Sequence, residues 1–264
     1  MKIALFQGEP AHADPEKGLA QIDKAARDAA AKGADLLVTP EMSVTGYAIG
    51  VAATRDLAQQ VRGPYFDAVS ALCKTLGIAI AYGYPERGDD DAIYNTAQLV
   101  DAHGEIVLSY RKTHLFGDVD RAQFTRGDVV SDVVSFGGMN IALALCYDVE
   151  FPELVRLYTM AGVDLLIVPT ANMVPFDSVC DRALPVHAEV NGIGIAFANY
   201  VGKEGLYTYC GRSAICGVEG DDLARADKTG TALIMAEFTG RRLPKEAYLK
   251  DRRPDLYGPI LDST

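Results

Sequence analysis

Two segments of this chain come back half a chain later. MKIALFQ (1–7) and GADLLVTPE (33–41) recur as MNIALAL (139–145) and GVDLLIVPT (162–170), each pair bracketing a helical pattern. Apolar strand, helix, apolar strand is a βαβ unit whose strands run parallel and are covered on both faces. Two such units predict an α/β chain with two internally related β-sheets, one in each half, and helices over their outer faces. No linker rich in Pro, Gly or Ser separates the halves, so residues 1–264 read as a single domain.

Local signals fill in this outline. Asp14 can cap a first helix, Pro15 suits its first turn, Leu19, Ile22, Ala26 and Ala29 line one face, and Gly33 ends it. A second helix is expected over 64–76, with strands at 78–82, 96–101 and 105–110 and a turn at His103-Gly104. A further helix from Pro152 would bury Leu154, Leu157, Tyr158 and Ala161.

Bulk properties exclude several functions. A net charge of −11 and a pI near 4.8 argue against a basic face for nucleic acid. No run approaches the roughly 18 apolar residues that span a bilayer, and 1–7 is too short for a signal peptide. A cytoplasmic protein without a membrane partner is expected. Cys73, Cys146, Cys180, Cys210 and Cys216 show no C-x-x-C spacing, which disfavours a disulfide framework or a zinc ribbon. Phosphate-binding Gly loops, H-E-x-x-H and the G-x-S-x-G elbow are all missing.

Three residues invite chemistry. Glu41 closes the apolar run 34–38 within TPEMSVTGY, and a buried acid is costly unless paired or used. Cys146 stands where a strand gives way to a helix, near backbone N–H groups and a positive helix end, both of which favour a thiolate. A packed structural thiol is the plain alternative. His12 and His103 read as loop residues, His187 as helical, and His114 has no evident role, so the usual histidine base is poorly supplied. Glu41 could replace it in a dry pocket. Lys112, in SYRKTHLFGD, follows a strand; beside Cys146 and Glu41 it could stabilise a thiolate and donate to an oxyanion, although a solvated loop lysine is the ordinary reading.

TPEMSVTGY, YRKTHLF and ALCYDVEFPE, in that order, resemble the three signature segments of the nitrilase superfamily of carbon–nitrogen hydrolases, and DRRPDLY (251–257) resembles its usual C-terminal segment. The resemblance implies a four-layer αββα sandwich, Glu41, Lys112 and Cys146 as the catalytic set, no metal or cofactor, and a homodimer or higher homo-oligomer. The implied reaction cleaves a small linear amide with water, giving acid and ammonia through a Cys146 thioester, with Lys112 and the Tyr147 N–H on the oxyanion. Cys146-Tyr147-Asp148 with Phe151-Pro152-Glu153 resembles amidases and carbamoylases more than the Cys-Trp-Glu of nitrilases. Nitrile or N-carbamoyl hydrolysis, a non-catalytic member of the fold, and a thiol-redox role without a nearby resolving cysteine are the alternatives. Tyr47 and Asn172 are candidate wall residues, and 175–177 a candidate entrance. Two positions depart from the family pattern. FGDVDR places Asp120 where many relatives carry Glu, as a substrate or lysine positioner with a shorter reach. His187 and Val190 stand where many carry Arg and Glu.

Overall fold

The computed structural model describes residues 1–240 and 246–262. The first half contributes β1 (Lys2–Gln7), β2 (Leu36–Val38), β3 (Ala79–Arg87), β4 (Ile93–Val100) and β5 (Ile106–Arg111). The second half contributes β6 (Val134–Phe136), β7 (Met139–Leu143), β8 (Leu165–Pro169), β9 (Gly194–Ala198), β10 (Val201–Glu204), β11 (Tyr207–Cys210), β12 (Ala214–Cys216), β13 (Asp222–Arg225) and β14 (Ala232–Glu237). They form two six-stranded sheets, ordered β14-β1-β2-β3-β4-β5 and β6-β7-β8-β9-β12-β13, with β10-β11 a separate ribbon.

Read in that order, neighbouring strands in both sheets pair antiparallel, parallel, parallel, antiparallel and antiparallel. The repeat seen in the sequence is therefore a repeat of topology. One detail differs from a sheet drawn wholly from each half. The position that β6 holds in the second sheet is filled in the first by β14, from beyond the second repeat.

The helices are α1 (Pro15–Ala31), α2 (Val51–Leu57), α3 (Pro64–Leu76), α4 (Gly117–Gln123), α5 (Pro152–Met160), α6 (Leu184–Asn191), α7 (Glu246–Lys250) and α8 (Pro254–Asp262), the last taking up the end of the 251–257 segment. Strand alternation sorts side chains to the two faces of each sheet. Ile3, Leu5, Leu36 and Val38 meet Ile141, Leu143, Leu165 and Ile167 in a core between the sheets. Ala4 and Leu37 face the other way, onto Ile22, Ala26 and Ala29 of α1 and Phe66 and Val69 of α3. Ala142 and Leu166 likewise face Leu154 and Tyr158 of α5 and Leu184 and Ala188 of α6. Helix, sheet, sheet, helix: the four layers follow from which face each strand residue takes.

Asp14 caps α1 by accepting from the Lys17 N–H at 3.1 Å. On α5 the expected stripe is displaced. Leu154 and Tyr158 are buried, but Leu157 is 48% exposed and Ala161 lies outside, while Val155 and Thr159 complete the buried face. Val155 and Thr159 follow Leu154 and Tyr158 by one residue each, so the inward arc lies on the side away from Leu157. β4 begins at Ile93, three residues before the expected start at 96. Asn95, a weak strand former, hid that extension. Among the described residues no helix is long and apolar enough to cross a membrane.

Candidate active site

Four segments from different elements converge where the parallel strands end, the usual place for a site in an α/β sheet. Glu41 lies three residues past β2, Lys112 directly follows β5, Asp120 lies on α4, and Cys146 lies three residues past β7. The two halves are tied together here, because the Glu41 N–H donates to the Thr170 carbonyl, just past β8, at 3.2 Å.

The Lys112 ammonium sits between two carboxylates. Its Nζ donates to Glu41 Oε1 at 2.7 Å and to Asp120 Oδ2 at 2.7 Å, and all three side chains are fully buried. Asn95 Nδ2 donates to the same Glu41 oxygen at 2.7 Å, and the Phe116 N–H to Asp120 Oδ2 at 2.8 Å. Strand pairing sets Asn95 and Lys112 side by side, since the Lys112 N–H donates to the Asn95 carbonyl. Tyr47 is buried with its ring centre 5.6 Å from Nζ. Glu41 Oε2, Asp120 Oδ1 and the hydroxyls of Tyr47, Thr170 and Tyr200 are buried without a protein hydrogen-bond partner.

Cys146 opens a short 3₁₀ turn, Cys146–Glu150, and has φ +46°, a left-handed conformation that a non-glycine residue adopts only when its surroundings impose it. Asp148 imposes it. Its buried carboxylate accepts from the Tyr110 hydroxyl at 2.8 Å, the Leu145 N–H at 2.9 Å, the His114 N–H at 3.0 Å and the Thr113 hydroxyl at 3.1 Å, and lies 2.8 Å from His114 Nδ1. The turn carrying the thiol is thereby tied to the segment carrying Lys112. His114, which had no evident role, braces that turn and stacks on Phe151 with ring centres 4.0 Å apart.

The electrostatics follow from burial in a polar cluster. Burial alone lowers the Lys112 pKa, but Asp120 and Glu41 outweigh it and hold the ammonium charged well above its ordinary range. Burial raises Glu41, Lys112 lowers it, Asp120 raises it again, and the net direction is up. Burial and the Glu41 charge push the Cys146 thiol well up, against Lys112 and the adjacent Thr170 and Ala171. The strand-to-helix corner alone does not favour a thiolate here: burial first, and the Glu41 charge second, favour the protonated thiol.

Other expected residues divide. The Tyr147 ring packs edge-on against Phe116 and Phe151, and Phe116 in turn meets Phe176 of the expected entrance. Asn172 is turned inward: its amide donates to the Phe176 carbonyl at 3.1 Å and to Cys180 Sγ at 3.3 Å, and its Oδ1 accepts from the Met173 N–H. His187 and Val190 belong to the helix layer, where Arg156 of α5 donates to the Val190 carbonyl at 3.2 Å. Asn95 and Asp148 were missed as site residues. The one was hidden in a strand, and the other was read only as part of the Cys146-Tyr147-Asp148 resemblance, without a role of its own. An open cleft of about 660 Å³ lies beyond Tyr147, lined also by His114, Arg121 and Arg126. None of Glu41, Lys112 or Cys146 lines it, so it is a neighbour of the site.

Residues 2–242 match the carbon-nitrogen hydrolase family. The chain belongs to that family. A Pseudomonas protegens protein named as the hydrolase in the pqqF 5' region is 41% identical over 98% of this chain and 92% of its own. A nitrilase of Pyrococcus abyssi is 29% identical over 97% of this chain and 99% of its own. Among solved structures, the NitN amidase from Nesterenkonia sp. AN1 superposes with a TM-score of 0.86 at 34% identity, covering 98% of this chain and 99% of that one. A variant of the Nesterenkonia amidase carries acrylamide joined to its active-site cysteine by Michael addition. The two-sheet, helix-flanked carbon-nitrogen hydrolase architecture is thus common to both chains, and the protein is an enzyme of this class.

Proposed function

We propose that the protein hydrolyses small linear amides to a carboxylic acid and ammonia through a thioester on Cys146. The observation that carries this reading is the buried Lys112 ammonium held 2.7 Å from both Glu41 and Asp120, with the Cys146 thiol within their electrostatic reach.

Glu41, its pKa raised by burial, is suited to take a proton and keep it for one step. It accepts the Cys146 proton as sulfur bonds to the amide carbon. The carbonyl oxygen becomes an oxyanion, met by the third Lys112 N–H and by the Tyr147 N–H. Losing one donor of this kind costs on the order of 10²-fold in rate. Protonated Glu41 passes its proton to the leaving nitrogen, the C–N bond breaks, and ammonia leaves a thioester behind. Water then attacks with Glu41 as base, and sulfur departs to regain its proton. Asp120 holds Lys112 in place, and Tyr47 walls the pocket. Asn172 acts from behind, bracing the loop that leads to Phe176.

Tyr147 following the nucleophile and the amidase neighbours favour an amide over a nitrile. Acid and ammonia formed from an amide panel, with Cys146→Ala as the blank, support the reading. Conversion of nitriles alone would overturn it. We also infer a homodimer through α5 and α6, adjacent helices that leave Leu157, Met160 and Val186 about half exposed. Sedimentation of Leu157→Asp tests this, with a shift to monomer expected.

A further inference from the structure

Thr170 lies in none of the segments that carry the family resemblance, yet three observations place it at the nucleophile. The first is strand register. Leu143 of β7 pairs with Ile167 of β8, and the Ala144 N–H continues the ladder onto the Ile167 carbonyl at 3.0 Å. Three residues further along each chain stand Cys146 and Thr170.

The second is the repeat. Thr170 ends GVDLLIVPT as Glu41 ends GADLLVTPE, so the two residues occupy equivalent positions in the two halves. One half ends this segment in a carboxylate, and the other in a hydroxyl. The backbone is locked in that pose by the Thr170 N–H on the Ala198 carbonyl at 2.9 Å and by the Glu41 N–H on the Thr170 carbonyl at 3.2 Å.

The third is the hydroxyl itself. Thr170 is fully buried and its Oγ1 has no hydrogen-bond partner of its own, while it lies alongside the Cys146 thiol together with the Ala171 N–H. Leaving a buried hydroxyl unsatisfied costs about 1–3 kcal/mol. Val, of the same shape, would avoid that cost. A hydroxyl here can serve a neighbour that becomes charged, and the sulfur is such a neighbour.

We propose that Thr170 donates a hydrogen bond to the Cys146 sulfur as its proton passes to Glu41, steadying the thiolate on its line of attack. Thr170 keeps its own proton throughout, and no bond of it is made or broken. This deepens the assignment of Cys146 as nucleophile and rests on that reading.

The test is alkylation of Cys146 by iodoethane, in which a C–S bond forms and iodide leaves, followed from pH 5 to 10 with Cys146→Ala as background. Hydrogen bonds to charged groups contribute about 1.5–3 kcal/mol. Thr170→Val should therefore alkylate about 10- to 100-fold more slowly at pH 7, with its profile displaced to higher pH. Thr170→Ser should stay near wild type, and Thr170→Ala replaces the valine variant if the latter does not fold. A valine or alanine profile superimposed on wild type, or a serine profile matching valine, would overturn the proposal. Because the readout needs no amide, the two readings fail separately. A shifted profile in an enzyme that cleaves no amide retains Thr170 and removes the amidase. An unshifted one in an active amidase does the reverse.

Discussion

Asp120 reaches Lys112 Nζ at 2.7 Å, the same distance as Glu41, although its side chain is one methylene shorter than the Glu that many relatives carry there. Two contacts fix the carboxylate there. Asp120 lies mid-way along α4 (Gly117–Gln123), and its Oδ2 also accepts the Phe116 N–H, which pins the carboxylate against the lysine. The departure that put this residue in doubt therefore leaves its contact with Lys112 intact.

Asp120→Asn removes a charge that raises the Glu41 pKa. Glu41 then stays ionised to lower pH, so the acid limb of kcat/KM should move downward. Its level should fall by about 10- to 100-fold, the scale of one hydrogen bond to a buried charge. A pH–rate profile reads both. An unmoved limb would show that Asp120 does not act on the base.

Asn95→Leu should move the same limb the opposite way. The Asn95 amide lowers Glu41 by donating to its carboxylate, so losing it raises the pH at which the base ionises. Profiles of the two variants should bracket the wild type.

Lys112→Met leaves Glu41 and Asp120 buried without their cation. Breaking a buried pair from one side costs about 3–5 kcal/mol. Stripped of Lys112, the buried Glu41 carboxyl, already raised by burial, holds its proton more tightly folded than unfolded. For groups raised in this way, stability is fullest below the unfolded carboxylate range, near pH 4, and is lost as pH rises. Urea midpoints at pH 5 and pH 8 should show the larger deficit at pH 8, together with loss of activity.

Asp148→Ala strips the turn after the nucleophile of a buried acceptor shared by Tyr110, Thr113, His114 and Leu145. A loss of about 3–5 kcal/mol is expected from the donors left unpaired. Tyr110→Phe, which deletes one donor and leaves the hub, should cost about 1–2 kcal/mol. Denaturant unfolding of the pair checks the ratio, and Cys146 alkylation should slow in the first variant far more than in the second.

What the sequence alone determined was local or repeated. The cap at Asp14, the helix over 64–76 and the hairpin at His103-Gly104 are written in neighbouring residues. The two related sheets follow because a repeated βαβ pattern has few ways to bury its strands. The three signature segments marked Glu41, Lys112 and Cys146 for the same reason, as contiguous stretches. Tertiary structure alone decided the rest. It paired β14 with β1 across most of the chain, drew Asn95 onto Glu41, and tied Asp148 to Tyr110 and His114. It also buried the sulfur beside Glu41, which favours the protonated thiol. Periodicity encodes which face a residue takes. It does not encode which distant charge that face meets, and in a buried site those distances determine where each proton sits.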